Sequence, residues 1–409
     1  KKGVLFVTEI KEVKKRNVAI EFWRFFAAIA IVGFHIGWII ARTCNGSNGY
    51  WMETSNWFFG SSEGLLLFTI TAGYFLVAHF KKLAKDPKYN ERSALSRAGE
   101  YTWSRIKSLL PVLILGYILG VLIVTKFYYP NYGFKEICTM LLNSIWEFLG
   151  FHSVGLRSTG GEFFNLNGPL WFISAIIIIG YFIYWGLCKN EDVMAGLVAP
   201  LLSIFFAGWW SYTNTRAAQT AWSTFGTQLA STNGMGGSAT DATATIGFNN
   251  GLIFVMIGML IGVILYYVLG KVKEHKFKSL TGITILNATV SVLLGWYIIN
   301  QPTFFNLERW TVSFLCIMVV ALSLLNKDGI SKLLNNNVTN KALEYLGGLS
   351  LYIYMLHYPI AILVLRLLGT NTEATTYPFW LVYIPSVIIT ILLSIVVKNI
   401  MELSVLKKD

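Results

Sequence analysis

The chain has 409 residues, 55% of them hydrophobic and 13% charged, with a formal net charge of +12. Soluble domains carry about 25% charged residues, so this composition excludes an ordinary soluble protein and indicates an all-α polytopic membrane protein. A nucleic-acid partner is not expected, because the basic residues form short clusters between apolar runs and not one patch or stripe.

Residues 1–19 read as a basic segment with no apolar run long enough for a cleaved signal peptide, so the first apolar run is expected to act as the insertion signal. A span takes about 20 mostly apolar residues. Ten are predicted, at about 20–41, 57–80, 107–126, 169–188, 194–212, 250–269, 280–299, 311–326, 346–368 and 379–402. The stretch "FKEICTMLLNSIWEFLGF", 134–151, is too short and too polar to span and is predicted as an interfacial or re-entrant helix.

Residues 213–248 are rich in Thr, Ser, Ala and Gly and read as a loop outside the bilayer. It is either a solvated spacer or a segment that orders over a substrate, and the sequence leaves both open. Lys and Arg crowd one set of loops, among them "KEVKKR" (11–16), 81–107, "KVKEHKFK" (271–278), 327–344 and the tail. The alternate loops are poor in them. The cytoplasmic basic excess therefore predicts both termini inside, with residues 1–409 as a single membrane domain.

The cysteines, Cys44, Cys138, Cys188 and Cys316, form no Cys-x-x-Cys pair and no metal-ligand spacing, and no metal is expected. Cys44 and Cys138 both fall in segments placed outside, which leaves a disulfide open.

The first predicted span, "EFWRFFAAIAIVGFHIGWII", carries Glu21, Arg24 and His35. Arg24 and His35 are eleven residues apart, about three helical turns, so they share one face about 16 Å apart. Glu21 sits one turn before Arg24 and can pair with it. Ionisable groups at membrane depth usually face a cavity or a partner. A histidine can take a proton from a hydroxyl, and an arginine near the surface can hold phosphate. A ligand with phosphates at one end and a reactive group on a long thin arm, as in acyl-coenzyme A, would fit the stripe. Arg24 as a cation snorkelling to the interface, and His35 as a core histidine bonded to a carbonyl, remain the alternatives. His357 is also deep, in "GGLSLYIYMLHYPI", bracketed by Tyr352, Tyr354 and Tyr358 and followed by Pro359; structural and functional readings stand level there.

These residues resemble the acyltransferase-3 family of integral membrane acyltransferases. Glu21, Arg24 and His35 are similar to its first-helix pattern, and "EGLLLFTITAGYFL" (63–76), "GPLWFISAII" (168–177) and "LSLYIYMLHYPI" (349–360) follow in the family's order. Thr69 and Ala72 depart from the second block, and "SRIKSLLP" lacks the second arginine of the family's Arg-x-x-Arg-x-x-Pro stretch.

The resemblance implies an O-acyltransferase of the bacterial cytoplasmic membrane. It would move an acetyl or other short acyl group from cytoplasmic acyl-coenzyme A to a hydroxyl of a cell-surface glycan or its lipid-linked precursor. His35 would be the general base, with Glu21 and His357 in the catalytic group. Arg24 would meet the coenzyme A phosphates, with Arg105 and Lys107 adding charge. Asn167, Trp171 and Tyr352 are candidates to contact the substrates or the oxyanion. A homo-oligomer is compatible with the sequence. The rival reading is a proton-coupled or glycan transporter with His35 and His357 as relay groups.

Overall fold

The computed structural model describes residues 16–43, 57–58, 61, 64–128, 130–145, 167–209, 250–274, 280–299, 309–334, 337–368 and 379–406. The 213–248 loop and Cys44, and with it the disulfide question, lie outside the described residues.

The described residues are almost entirely helical. In chain order the main helices are α1 (Val18–Thr43), α2 (Gly64–Leu83), α3 (Ala94–Tyr128), α4 (Phe134–Asn143) and α5 (Leu170–Lys189). They are followed by α6 (Glu191–Trp209), α7 (Asn250–Glu274), α8 (Leu280–Ile299), α9 (Arg309–Leu325), α10 (Asn337–Leu367) and α11 (Phe379–Leu406). Nine of the described helices are long and apolar enough to cross a bilayer. Each of the ten predicted spans falls on a helix; the eighth falls on α9, whose apolar stretch Trp310–Leu325 is shorter than the other nine. The predicted interfacial segment contains the ten-residue α4.

Helices α1 and α10 are the most buried of the nine. Helix α1 packs along α10, and α10 also packs against α11 and α3. Glu21 lies against Gly347 and His35 against His357. Residue numbers rise together along both helices, so α1 and α10 run parallel, as a first and a ninth span must. Helix α11 returns antiparallel: Tyr383 Oη donates to the Ile29 carbonyl (3.4 Å), and Lys398 reaches Gly348.

The start of α1 is fixed by Asn17, whose side chain accepts the Ile20 N–H (3.2 Å) and donates to the Ser323 carbonyl at 2.8 Å. Capping of an otherwise open N–H by Asn is a common start signal.

A second close pair, α2 against α7, depends on glycine. A Cβ at Gly73 would overlap the Met259 carbonyl, and one at Gly262 would overlap the Ile70 carbonyl. Small residues let helix backbones approach in membranes, where apolar side chains gain little from leaving lipid.

Proline shapes α10. Pro359 has no N–H, so the Met355 carbonyl four residues earlier has no helical donor. Asn167 Nδ2 donates to it instead, at 2.8 Å. Gly116 of α3 makes room, since a Cβ there would come within 3.0 Å of both the Asn167 nitrogen and the Met355 oxygen. Asn167→Ala is expected to leave a buried carbonyl unpaired and to cost about 1–3 kcal/mol. A lower melting temperature of the detergent-solubilised protein, with its helical content unchanged, is the readout; an unshifted melt would remove this role.

Candidate active site

The centre of the site is a pair of imidazoles. His35 comes from the middle of α1 and His357 from the proline-interrupted part of α10. His357 Nε2 stands 3.0 Å from His35 Nδ1. His35 Nδ1 also lies 3.0 Å from the Ile31 carbonyl. His357 Nδ1 lies 2.8 Å from the Tyr354 carbonyl and 3.2 Å from that of Ile353. His357 is fully buried and His35 retains 8% exposure, so only His35 offers an edge to a ligand. Imidazoles are polar groups that burial penalises unless they are bonded, and here one nitrogen of each ring faces the other.

The surroundings hold the rings in place. Tyr358 meets His35 edge-on at 5.9 Å, and Tyr354 lies 5.9 Å from His357. Tyr354 Oη donates to the Pro169 carbonyl (2.9 Å). Together with the Asn167–Met355 bond, this ties the corner before α5 to α10 in the turn that leads into His357.

Arg24 lies at the other end of the same face of α1. Its Nη1 pairs with both Glu21 carboxylate oxygens at 3.2 Å. Glu21 is buried against the Gly347 backbone, where a Cβ would overlap it. The pair occupies one nitrogen of Arg24, and the side chain as a whole keeps 29% exposure. Glu21 is fourteen residues from His35, about 21 Å along the helix. The sequence placed it in the catalytic group; the structure pairs it with Arg24, which it orients.

The remaining candidates separate. Arg105 stacks over Tyr101 at 5.2 Å. Tyr101 in turn lies 5.5 Å from His79 and stacks on Tyr184 at 4.3 Å. Lys107, two residues on, points to another face of α3 and covers the exposed Trp103 ring at 5.2 Å. Arg105 and Lys107 therefore cover rings on different sides of α3. Trp171 packs on Gly251, where a Cβ would touch its ring; its neighbour Phe172 faces Tyr354 at 5.5 Å. Tyr352 lies on a different side of α10 from His357, while Tyr354, one turn before the histidine, makes the ring contact. Tyr354 stands at the site although the sequence singled out Tyr352, and His79 joins the Tyr101–Tyr184 stack on α3 and α5. The one-turn spacing of Tyr354 from His357 was the available signal for the first. For His79, at the end of its span, nothing in the sequence pointed to α3.

Among the described residues no group of three or more His, Cys, Asp or Glu side chains could hold a metal ion.

The arrangement offers a buried imidazole at the end of a narrow face and a paired, partly exposed cation at its start. A family model described as an acyltransferase domain, that of the acyltransferase-3 family, matches residues 17–398, from the cap of α1 into α11. Comparison with curated proteins and with solved structures returns no match.

Proposed function

The chain belongs to the acyltransferase-3 family of membrane acyltransferases, and from that premise we propose a direct O-acyl transfer. The donor is acyl-coenzyme A, with acetyl the favoured group, taken from the cytoplasm. The acceptor is a hydroxyl of a cell-surface glycan or its lipid-linked precursor, in the bacterial cytoplasmic membrane. The observation that carries this reading is the single face of α1. It bears Arg24, oriented by Glu21, and about 16 Å further the buried His35. Phosphates at one end of a long thin arm and a thioester at the other match that spacing.

In this mechanism His35 takes the proton of the acceptor hydroxyl while the oxygen bonds to the acyl carbon. The carbon–sulfur bond breaks, and His35 returns the proton to the leaving thiolate. Holding both substrates at one imidazole supplies the proximity term. Arg24 anchors phosphate through the part of its fork that Glu21 does not use.

Titration calorimetry of acetyl-coenzyme A on the purified protein tests this. Arg24→Ala is expected to weaken binding by about 10–100-fold, the equivalent of one hydrogen bond to a charged group at about 1.5–3 kcal/mol. Wild-type affinity in that variant would make Arg24 a snorkelling cation. No binding to the folded wild type would favour the transporter, which needs no donor.

A further inference from the structure

We infer that His357 is a positioning residue that fixes the tautomer of His35, so that His35 Nε2 is the nitrogen that takes the acceptor's proton. The inference rests on the reading of His35 as general base and adds which atom acts and what holds it.

The argument is one of donors and acceptors. A carbonyl oxygen only accepts. His357 Nδ1 faces two carbonyls, Tyr354 at 2.8 Å and Ile353 at 3.2 Å, so it carries the proton. In a neutral ring His357 Nε2 is then a lone pair. That lone pair points at His35 Nδ1, 3.0 Å away. His35 Nδ1 also faces the Ile31 carbonyl at 3.0 Å. Two acceptors converge on His35 Nδ1, so it carries a proton shared between them. The lone pair of His35 is left on Nε2.

Every other neutral assignment turns a ring lone pair toward a carbonyl oxygen. With His35 as the Nε2–H tautomer, its Nδ1 lone pair would face Ile31. With His357 as the Nε2–H tautomer, its Nδ1 lone pair would face both Tyr354 and Ile353. Unpaired contacts of this kind in a buried site are costly.

The same geometry decides where the extra proton resides during transfer. When His35 Nε2 receives it, Nδ1–H still donates to His357 Nε2, and every bond of the pair is kept. Passing the charge to His357 would require His35 Nδ1 to turn a lone pair on Ile31. The proton therefore stays on His35 Nε2 until the thiolate takes it. The chain from His357 to the α10 carbonyls acts on His35 as an orienting carboxylate acts on a catalytic histidine, but with a neutral group.

Nitrogen-15 NMR of the histidine-labelled, detergent-solubilised protein tests this without any substrate, with His35→Gln and His357→Gln used to assign the signals. Both buried rings are expected to show a protonated Nδ1 and an unprotonated Nε2. A protonated Nε2 on His357 would overturn the inference. A second readout is thiol release from acetyl-coenzyme A by reconstituted protein supplied with the cell's envelope glycans, whose hydroxyls accept the acyl group. Gln at 357 can place an acceptor oxygen near the lost Nε2, whereas Leu cannot.

His357→Gln is expected to stay within about tenfold of wild type in kcat. His357→Leu is expected to fall well below it with KM unchanged, losing part of the 10²–10⁴-fold that general-base catalysis supplies. Equal kcat for a folded Leu variant and the wild type would overturn positioning. A wild type that releases no thiol would overturn the acyl-transfer reading, while the NMR result would still decide the tautomer.

Discussion

Replacing His35 by alanine is expected to lower acyl transfer by about 10²–10⁴-fold, the range general acid–base catalysis contributes. The protein should remain folded and inserted, because the ring lies at the α1–α10 contact and not in the glycine-dependent packing of α2 on α7. Some loss of stability is expected, since His357 Nε2 loses its partner in a buried site. Binding of acetyl-coenzyme A to the variant separates the two effects. Affinity close to wild type together with lost thiol release marks a missing base. Full turnover in a folded His35→Ala protein would remove His35 from the mechanism. His35→Gln is the sharper control: it can still reach the His357 nitrogen but has no basic site, and it should be as inactive as alanine.

The second large effect concerns stability. Gly262→Leu is expected to prevent α2 and α7 from docking. A Cβ at 262 would overlap the Ile70 carbonyl and approach the Tyr74 backbone nitrogen to 2.7 Å. These are main-chain atoms of a continuous helix and cannot step aside as a flexible side chain would. Overpacking costs about 1–3 kcal/mol even where neighbours can adjust, and here two backbones must separate along their length. The expected result is loss of monodisperse protein on size-exclusion chromatography. Gly270→Leu on the same helix has open space around it and should behave as wild type. Equal behaviour of the two variants would show that the close approach is not required.

The resemblance and the structure meet most closely on α1. The face that joins Arg24 to His35 follows from helical periodicity, and the Glu21–Arg24 pair from the one-turn spacing. Both are local, so the sequence contains them. The Arg105 and Lys107 side chains part for the same reason of geometry. Residues two apart on a helix do not share a face, and the aromatic rings that each cation covers lie on different sides of α3. The depth at which Glu21 holds Arg24 is not local: its buried seat is set by Gly347, on a helix more than three hundred residues away in the chain.

By itself the sequence determined the helical, membrane-spanning class, a helix at each of the ten apolar runs though not the early starts of α3 and α10, and the stripe on α1. Each is a short-range consequence of apolar length and of 3.6 residues per turn. Only the tertiary structure decided that His35 and His357, 322 residues apart, form a bonded pair. It also decided that Asn167 supplies the donor Pro359 withholds, and that Tyr354, not Tyr352, stands beside the imidazole. Inside a bilayer most span surfaces are equally apolar, so composition carries little information on which helix meets which. That choice is made by small residues, proline-freed carbonyls and buried polar groups finding partners, and these partners lie on different spans.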